Sequence, residues 1–150
     1  MILMRSAIVA EAKTWLRTPF ADGQHCKGVG VDCVGLVIGV ADMLSMSLPP
    51  ILPYSPQWHL HQHEEKLLNT IRAVPLEEIA IQRRQPGDIA VFRLDKGLPC
   101  SHVGILIEND VFIHAYWSKA MAQGRVAQSR LRGAWQWQLE YVFAFPGVTA

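Results

Sequence analysis

The chain is short of cysteine and has no surplus of either charge. It holds three cysteines in 150 residues and no Cys-x-x-Cys pair, so neither a disulfide framework nor a zinc ribbon is suggested. Its 14 basic and 13 acidic residues leave a formal net charge of +1. A balance this close excludes a strongly basic surface for nucleic acid or an acidic membrane. No apolar run is long enough to span a bilayer. Arg5 precedes the apolar run Ala7–Ala10, but that run is too short for a secretory leader, and Glu11 and Lys13 break it. A chain without a Sec signal is expected. Repeats and low-complexity segments are missing as well. With 50% hydrophobic and 18% charged residues the composition is globular rather than disordered. Its length suits a single domain, 1–150, around one substantial core.

What stands out is Gly28–Val40, read GVGVDCVGLVIGV. Asp32 and Cys33 are the two polar residues in an otherwise apolar stretch. Gly28 and Gly30 just before them allow tight backbone geometry. From Cys33 onward, Val34, Leu36, Val37, Ile38, Val40 and Ala41 make a helix that is apolar almost all round and so belongs in a core. Asp32 is a good N-cap for it. Cys33 then occupies the first turn, where unpaired N–H groups and the helix dipole favour a thiolate, the reactive form of cysteine. Cysteine is also a common small buried hydrophobe. The nucleophile reading therefore needs a base from elsewhere in the chain.

Residues 3–17 read as an amphipathic helix, with Ile8, Ala12 and Trp15 at helical spacing and Thr18-Pro19 as its stop. Phe20–Val31 reads as a glycine-containing loop. The Cys33 helix is expected to fade near Leu44, before Pro49, Pro50, Pro53 and Pro56. A further helix from about His61 to Ala73 would face Leu67, Leu68 and Ile71 inward. After the turn Pro86-Gly87-Asp88 the pattern changes to strands: Ile89–Leu94, His102–Ile107, Val111–Tyr116, a weaker Arg125–Leu131, and Leu139–Phe145. Helices first and short strands after them predict an α+β fold with a mostly antiparallel sheet of about five strands and the helices on one face.

His102 opens one of these strands and His114 lies in the next. In a hairpin turning at Glu108-Asn109-Asp110 the two histidines come close together. If both face the Cys33 helix, the chain offers a thiol, an imidazole base and a polar group to orient that base. The segments GVDCVGLV, PGDIAVF, SHVGILI and FIHA, in this order, resemble the NlpC/P60 cysteine peptidases, and most closely the phage-encoded branch linked to cell-wall digestion or tail assembly. The resemblance runs from about Ala12 to Ala115 plus the last strand. It implies a papain-like fold, with N-terminal helices and the nucleophile helix packed on the sheet. It further implies Cys33 as nucleophile, His102 as general base and His114 as third member. The implied reaction is hydrolysis of an amide in the peptide stem of peptidoglycan, typically the D-γ-glutamyl–diamino-acid bond, with no cofactor and no metal. The partners implied are the stem peptide and phage tail proteins, in a virion or in the cytoplasm of the producing cell.

The chain departs from the family pattern at two positions. Where many members carry an active-site tyrosine, the nearest residue here is Phe20. Where many have serine after the cysteine, this chain has Val34, although it keeps Asp32. Asp32, Phe20 and Val34 are thus the candidate substrate-binding set. Two other readings stay open: a thiol amidase or acyltransferase on the same scaffold, and a non-catalytic tail component. His59, His61 and His63 alternate, but a solvated loop is favoured over a metal site. Cys26 and Cys100 are read as packing residues. Trp117, Trp135 and Trp137 suit either a ligand groove or ordinary packing.

Overall fold

The computed structural model describes residues 3–46, 48, 65–118 and 122–149. Helix α1 (Arg5–Lys13) follows a short strand, β1 (Leu3–Met4), and buries Ile8, Val9 and Ala12. The turn after it buries Trp15 and passes through Arg17 in the left-handed region before Thr18-Pro19. Helix α2 (Cys33–Met43) is buried along most of its length, as its uniformly apolar sequence requires. Gly39 lets the Trp15 ring pack against α2. A Cβ there would sit 2.2 Å from Cη2 of the Trp15 ring.

The loop expected over Phe20–Val31 contains a miniature antiparallel hairpin, β2 (His25–Cys26) with β3 (Gly30–Val31). Helix α3 (Lys66–Arg72) buries Leu67, Leu68 and Ile71. The first residues of the expected helix, 61–64, lie outside the described residues.

The main sheet has six strands rather than about five. They are β4 (Glu77–Ile79), β5 (Ile89–Phe92), β6 (His102–Ile107), β7 (Val111–Ser118), β8 (Gln123–Arg130) and β9 (Leu139–Ala144). The order is β4-β9-β5-β6-β7-β8, and every neighbouring pair is antiparallel. The extra strand is the segment after Pro75, which is too short and too charged to show alternation. The last strand, β9, is inserted between β4 and β5. A one-turn helix, α4 (Ala134–Gln138), precedes it, and β10 (Val148–Thr149) pairs in parallel with β1.

Side chains alternate across the sheet. Ile89, Val91, Val103, Ile105, Ile113 and Ala115 join α1 and α2 in the larger core. Ala90, Phe92, Leu106, Phe112, Leu139 and Val142 form a second cluster on the opposite face, closed by Trp135 of α4. Each fully buried aliphatic side chain stabilises the fold by about 1.5–3 kcal/mol. The turn into β5 is held by Asp88, which accepts Gln85 N–H at 2.8 Å and the Arg5 guanidinium at 2.5 Å. The reversal between β6 and β7 uses left-handed Asn109 and Asp110. Among the described residues no helix is long and apolar enough to cross a membrane.

Candidate active site

The pairing of β6 with β7 sets Ile105 opposite Ile113 and Leu106 opposite Phe112. By alternation His102, Gly104 and Leu106 then share a face with Phe112, His114 and Tyr116. Gly104 leaves the space this face needs. A Cβ there would lie 3.0 Å from Cδ2 of Phe112 and 3.2 Å from Cβ of His114. His102 Nε2 is 2.8 Å from His114 Nδ1, and His114 Nε2 is 2.9 Å from Ser129 Oγ on β8. The structure therefore brings both expected histidines together and adds a hydroxyl behind them.

This relay lies in an aromatic enclosure. The Trp135 ring stands 5.7 Å from His102 and 5.0 Å from His114, centroid to centroid, and also meets Phe92, Phe112 and Tyr116. Tyr116 turns an edge to His102 and is itself partly exposed. Burial disfavours the imidazolium form. It pushes His102 down to about 3 and His114 down to about 2, with His102 adding to the second shift. Both rings are neutral at neutral pH.

Cys33 opens α2. The Asp32 side chain accepts Gly35 N–H at 2.7 Å, a regular N-cap. The backbone N–H groups of Val103, Val34 and Cys33 act on the thiol, each favouring its thiolate form. The Val103 N–H belongs to the peptide that links it to His102, so the thiol stands at the first peptide of β6. The unpaired N–H groups of the first helical turn and the helix dipole were expected to favour thiolate. Burial outweighs them, and with the Asp32 charge it pushes the thiol up to about 12. The condition that both histidines face the Cys33 helix is not met by the body of that helix. The body of α2 packs on the Val103 and Ile105 face, while His102 and His114 project from the other. Among the described residues no hydrogen bond joins the thiol to either imidazole; in apo sites such catalytic contacts are often long and tighten with substrate.

The other candidates sit as follows. Asp32 is 2% exposed, and its second oxygen accepts Gly23 N–H at 2.6 Å, so both oxygens are committed to backbone. Val34 is 5% exposed and packs into the larger core. Phe20 is partly buried, with its ring 6.0 Å from that of Trp117. Cys26 is exposed. Cys100 is buried, its thiol pushed up to about 12 by burial and by Glu65. The three tryptophans do not form one groove: Trp135 packs on the histidines, while Trp137 is 85% exposed. His59, His61 and His63 lie outside the described residues. Sequence reasoning missed Ser129 and Tyr116. Tyr116 was legible as the residue two beyond His114 on the same strand face. Ser129 was not, because its place depends on the register of β8.

A cysteine at the start of a buried helix, a buried histidine pair and an antiparallel sheet in an α+β fold together define the papain-like class. Residues 17–141 match the NlpC/P60 family, and the chain belongs to that family of cysteine peptidases, which includes peptidoglycan hydrolases. A Haemophilus influenzae protein named as a probable endopeptidase is 27% identical over 139 residues, covering 82% of this chain and 75% of that one. The NlpC/P60 domain of the peptidoglycan hydrolase SagA has the same fold, with a TM-score of 0.64 at 20% identity, over 94% of this chain and 98% of that domain. So does an NLP/P60 protein similar to a lipoprotein from Staphylococcus aureus, with a TM-score of 0.62 at 23% identity over 93% of this chain. The chain spans 40% of the length of that staphylococcal chain.

Proposed function

We propose that the chain is a cysteine peptidase that hydrolyses an amide in the peptide stem of peptidoglycan, with Cys33 as nucleophile, His102 as general base and His114 as its orienting partner. The observation that carries this reading is the 2.8 Å His102–His114 hydrogen bond beside the peptide that also contacts the Cys33 thiol. With thiol and imidazole both neutral at rest, the proton leaves Sγ for His102 Nδ1 as the sulfur attacks the carbonyl carbon. The oxyanion forms near the Cys33 backbone N–H at the start of α2. The leaving amine takes the proton back from His102, and water then releases the acyl group from sulfur.

The finer assignment is to the D-γ-glutamyl–diamino-acid bond, acting from a phage tail or during its assembly. It is supported by the resemblance of GVDCVGLV, PGDIAVF, SHVGILI and FIHA to phage-encoded relatives. The test is digestion of purified peptidoglycan by the full chain and by Cys33→Ala, with mass analysis of the fragments. Stem fragments ending in D-glutamate, from the wild type only, are expected. No fragments from the wild type would overturn the reading.

A further inference from the structure

We infer that Ser129 is a positioning residue that fixes the proton order of the histidine pair, so that His102 presents a lone pair rather than an N–H toward the thiol. The inference rests on the reading of His102 as general base.

The row His102 Nε2–His114 Nδ1, His114 Nε2–Ser129 Oγ can be filled with protons in two directions. In one, His102 Nε2–H donates to His114 Nδ1 and His114 Nε2–H donates to the Ser129 oxygen. His102 Nδ1 is then bare and can take the thiol proton. In the other, Ser129 O–H donates to His114 Nε2 and His114 Nδ1–H donates to His102 Nε2. His102 Nδ1 then carries the proton, and the base is blocked. Both directions make the same two internal hydrogen bonds, so the groups at the two ends of the row decide between them.

At the far end, Ser129 lies on the edge strand β8 and is partly exposed. When it accepts from His114, it supplies the acceptor for an Nε2–H on a ring that is 1% exposed. The hydroxyl meets water with its proton in this direction and with its lone pairs in the other, so solvent does not decide between them. At the near end, on the reading of His102 as general base, Nδ1 meets a thiol that stays protonated, and a donor there favours a bare nitrogen over an N–H. At the far end, removing the hydroxyl would leave the His114 Nε2–H of the productive order buried and unpaired, the costly outcome. The hydroxyl of Ser129 is therefore the group that keeps the productive order open. No water or charged side chain need intervene. The rings of Trp135, Phe92 and Phe112 pack around the two histidines.

The experiment uses the full chain labelled with nitrogen-15. Proton–nitrogen correlation spectra at neutral pH distinguish Nε2–H from Nδ1–H imidazoles, and kcat and KM are measured on soluble muropeptides. Wild type is expected to show both rings as Nε2–H. Ser129→Ala is expected to move His114 toward Nδ1–H and to lower kcat about tenfold, the loss of one hydrogen bond of about 1.4 kcal/mol, with KM little changed. Ser129→Thr keeps the hydroxyl and should restore both signals and rate. An Nδ1–H His102 in wild type would overturn the inference, as would unchanged spectra and kcat in Ser129→Ala. A wild type that cleaves no muropeptide, yet shows the expected tautomers and their dependence on Ser129, would sink the proposed reaction and leave the relay standing.

Discussion

Cys33 and His102 are tuned against forming an ion pair at rest. Burial lifts the thiol to about 12 and lowers the imidazole to about 3. A pre-formed thiolate would be a charge drawn out of water beside the Asp32 carboxylate, which its backbone N–H donors do not offset. Proton transfer is then coupled to attack, and the base becomes indispensable. His102→Ala is expected to cost 10²–10⁴-fold in kcat/KM, the usual worth of a general base. His114 acts only through His102. His114→Asn or His114→Gln, which can still accept from Nε2, should therefore retain more activity than His114→Ala. Equal losses in all three His114 variants alongside an active His102→Ala would refute these roles. The cysteines should separate in the same way under an alkylating reagent. Exposed Cys26 should react first with no loss of activity, and buried Cys100 last. Inactivation should follow modification of Cys33 alone.

The elements that position these residues were legible in the sequence to differing degrees, for physical reasons. The helix α2 was visible because a continuous apolar run after an Asp cap has few other stable forms. The strands β5, β6 and β7 were visible because β-branched and aromatic residues cluster between turn signals. β2 and β3 were invisible because two-residue strands have no period. The insertion of β9 between β4 and β5 is a matter of topology, which local pattern does not carry. The direction of the histidines was not legible for a related reason. Alternation tells which residues share a face but not which face a helix covers. Val34 shows the same gap, since its place beside Cys33 suggested a substrate contact and its side chain lies in the core. Val34→Ser is accordingly expected to lose stability, about 1–3 kcal/mol for an unsatisfied buried hydroxyl, rather than to alter specificity. Gly35 gives a sharper test at this scale. A Cβ there would sit 2.1 Å from the Gln24 carbonyl oxygen and 2.8 Å from Asp32 Oδ1. Neither the backbone nor the cap can yield without moving Cys33. At Gly39 the obstacle is the Trp15 ring, remote from the thiol. Both alanine variants should lose about 1–3 kcal/mol in urea unfolding through overpacking. Only Gly35→Ala should also lose activity at temperatures where it is folded. A Gly35→Ala enzyme with wild-type kcat/KM would show that the cap does not set the nucleophile.

On the scale of the whole molecule, the site and the fold draw on the same burial. His102 and His114 are 4% and 1% exposed, and the second core cluster packs around them under Trp135. Their depressed proton affinities must therefore appear in the stability of the entire chain. In the unfolded chain both histidines titrate near 6.5, whereas in the folded chain they stay neutral down to about 3 and about 2. Above pH 6.5 neither state binds the protons and these groups leave stability independent of pH. Below it the unfolded state takes up two protons that the folded state refuses, so stability falls as pH falls. Each histidine contributes about 1.4 kcal/mol per pH unit, or about 2 kcal/mol between pH 6.5 and 5. Carboxylates titrate in the lower part of this range, so the comparison has to be between variants. His114→Asn removes one of the two titrating groups while keeping a side chain that can hydrogen-bond His102. Urea unfolding of both proteins at pH 7.5, 6.5, 5.5 and 5 is the measurement. Wild type should lose stability steeply below pH 6.5, and His114→Asn should be less stable at pH 7.5 but have a shallower slope, the two curves converging toward pH 5. Parallel curves, or a wild type whose unfolding free energy is flat from pH 7.5 to 5, would mean that the histidines are not held neutral by burial.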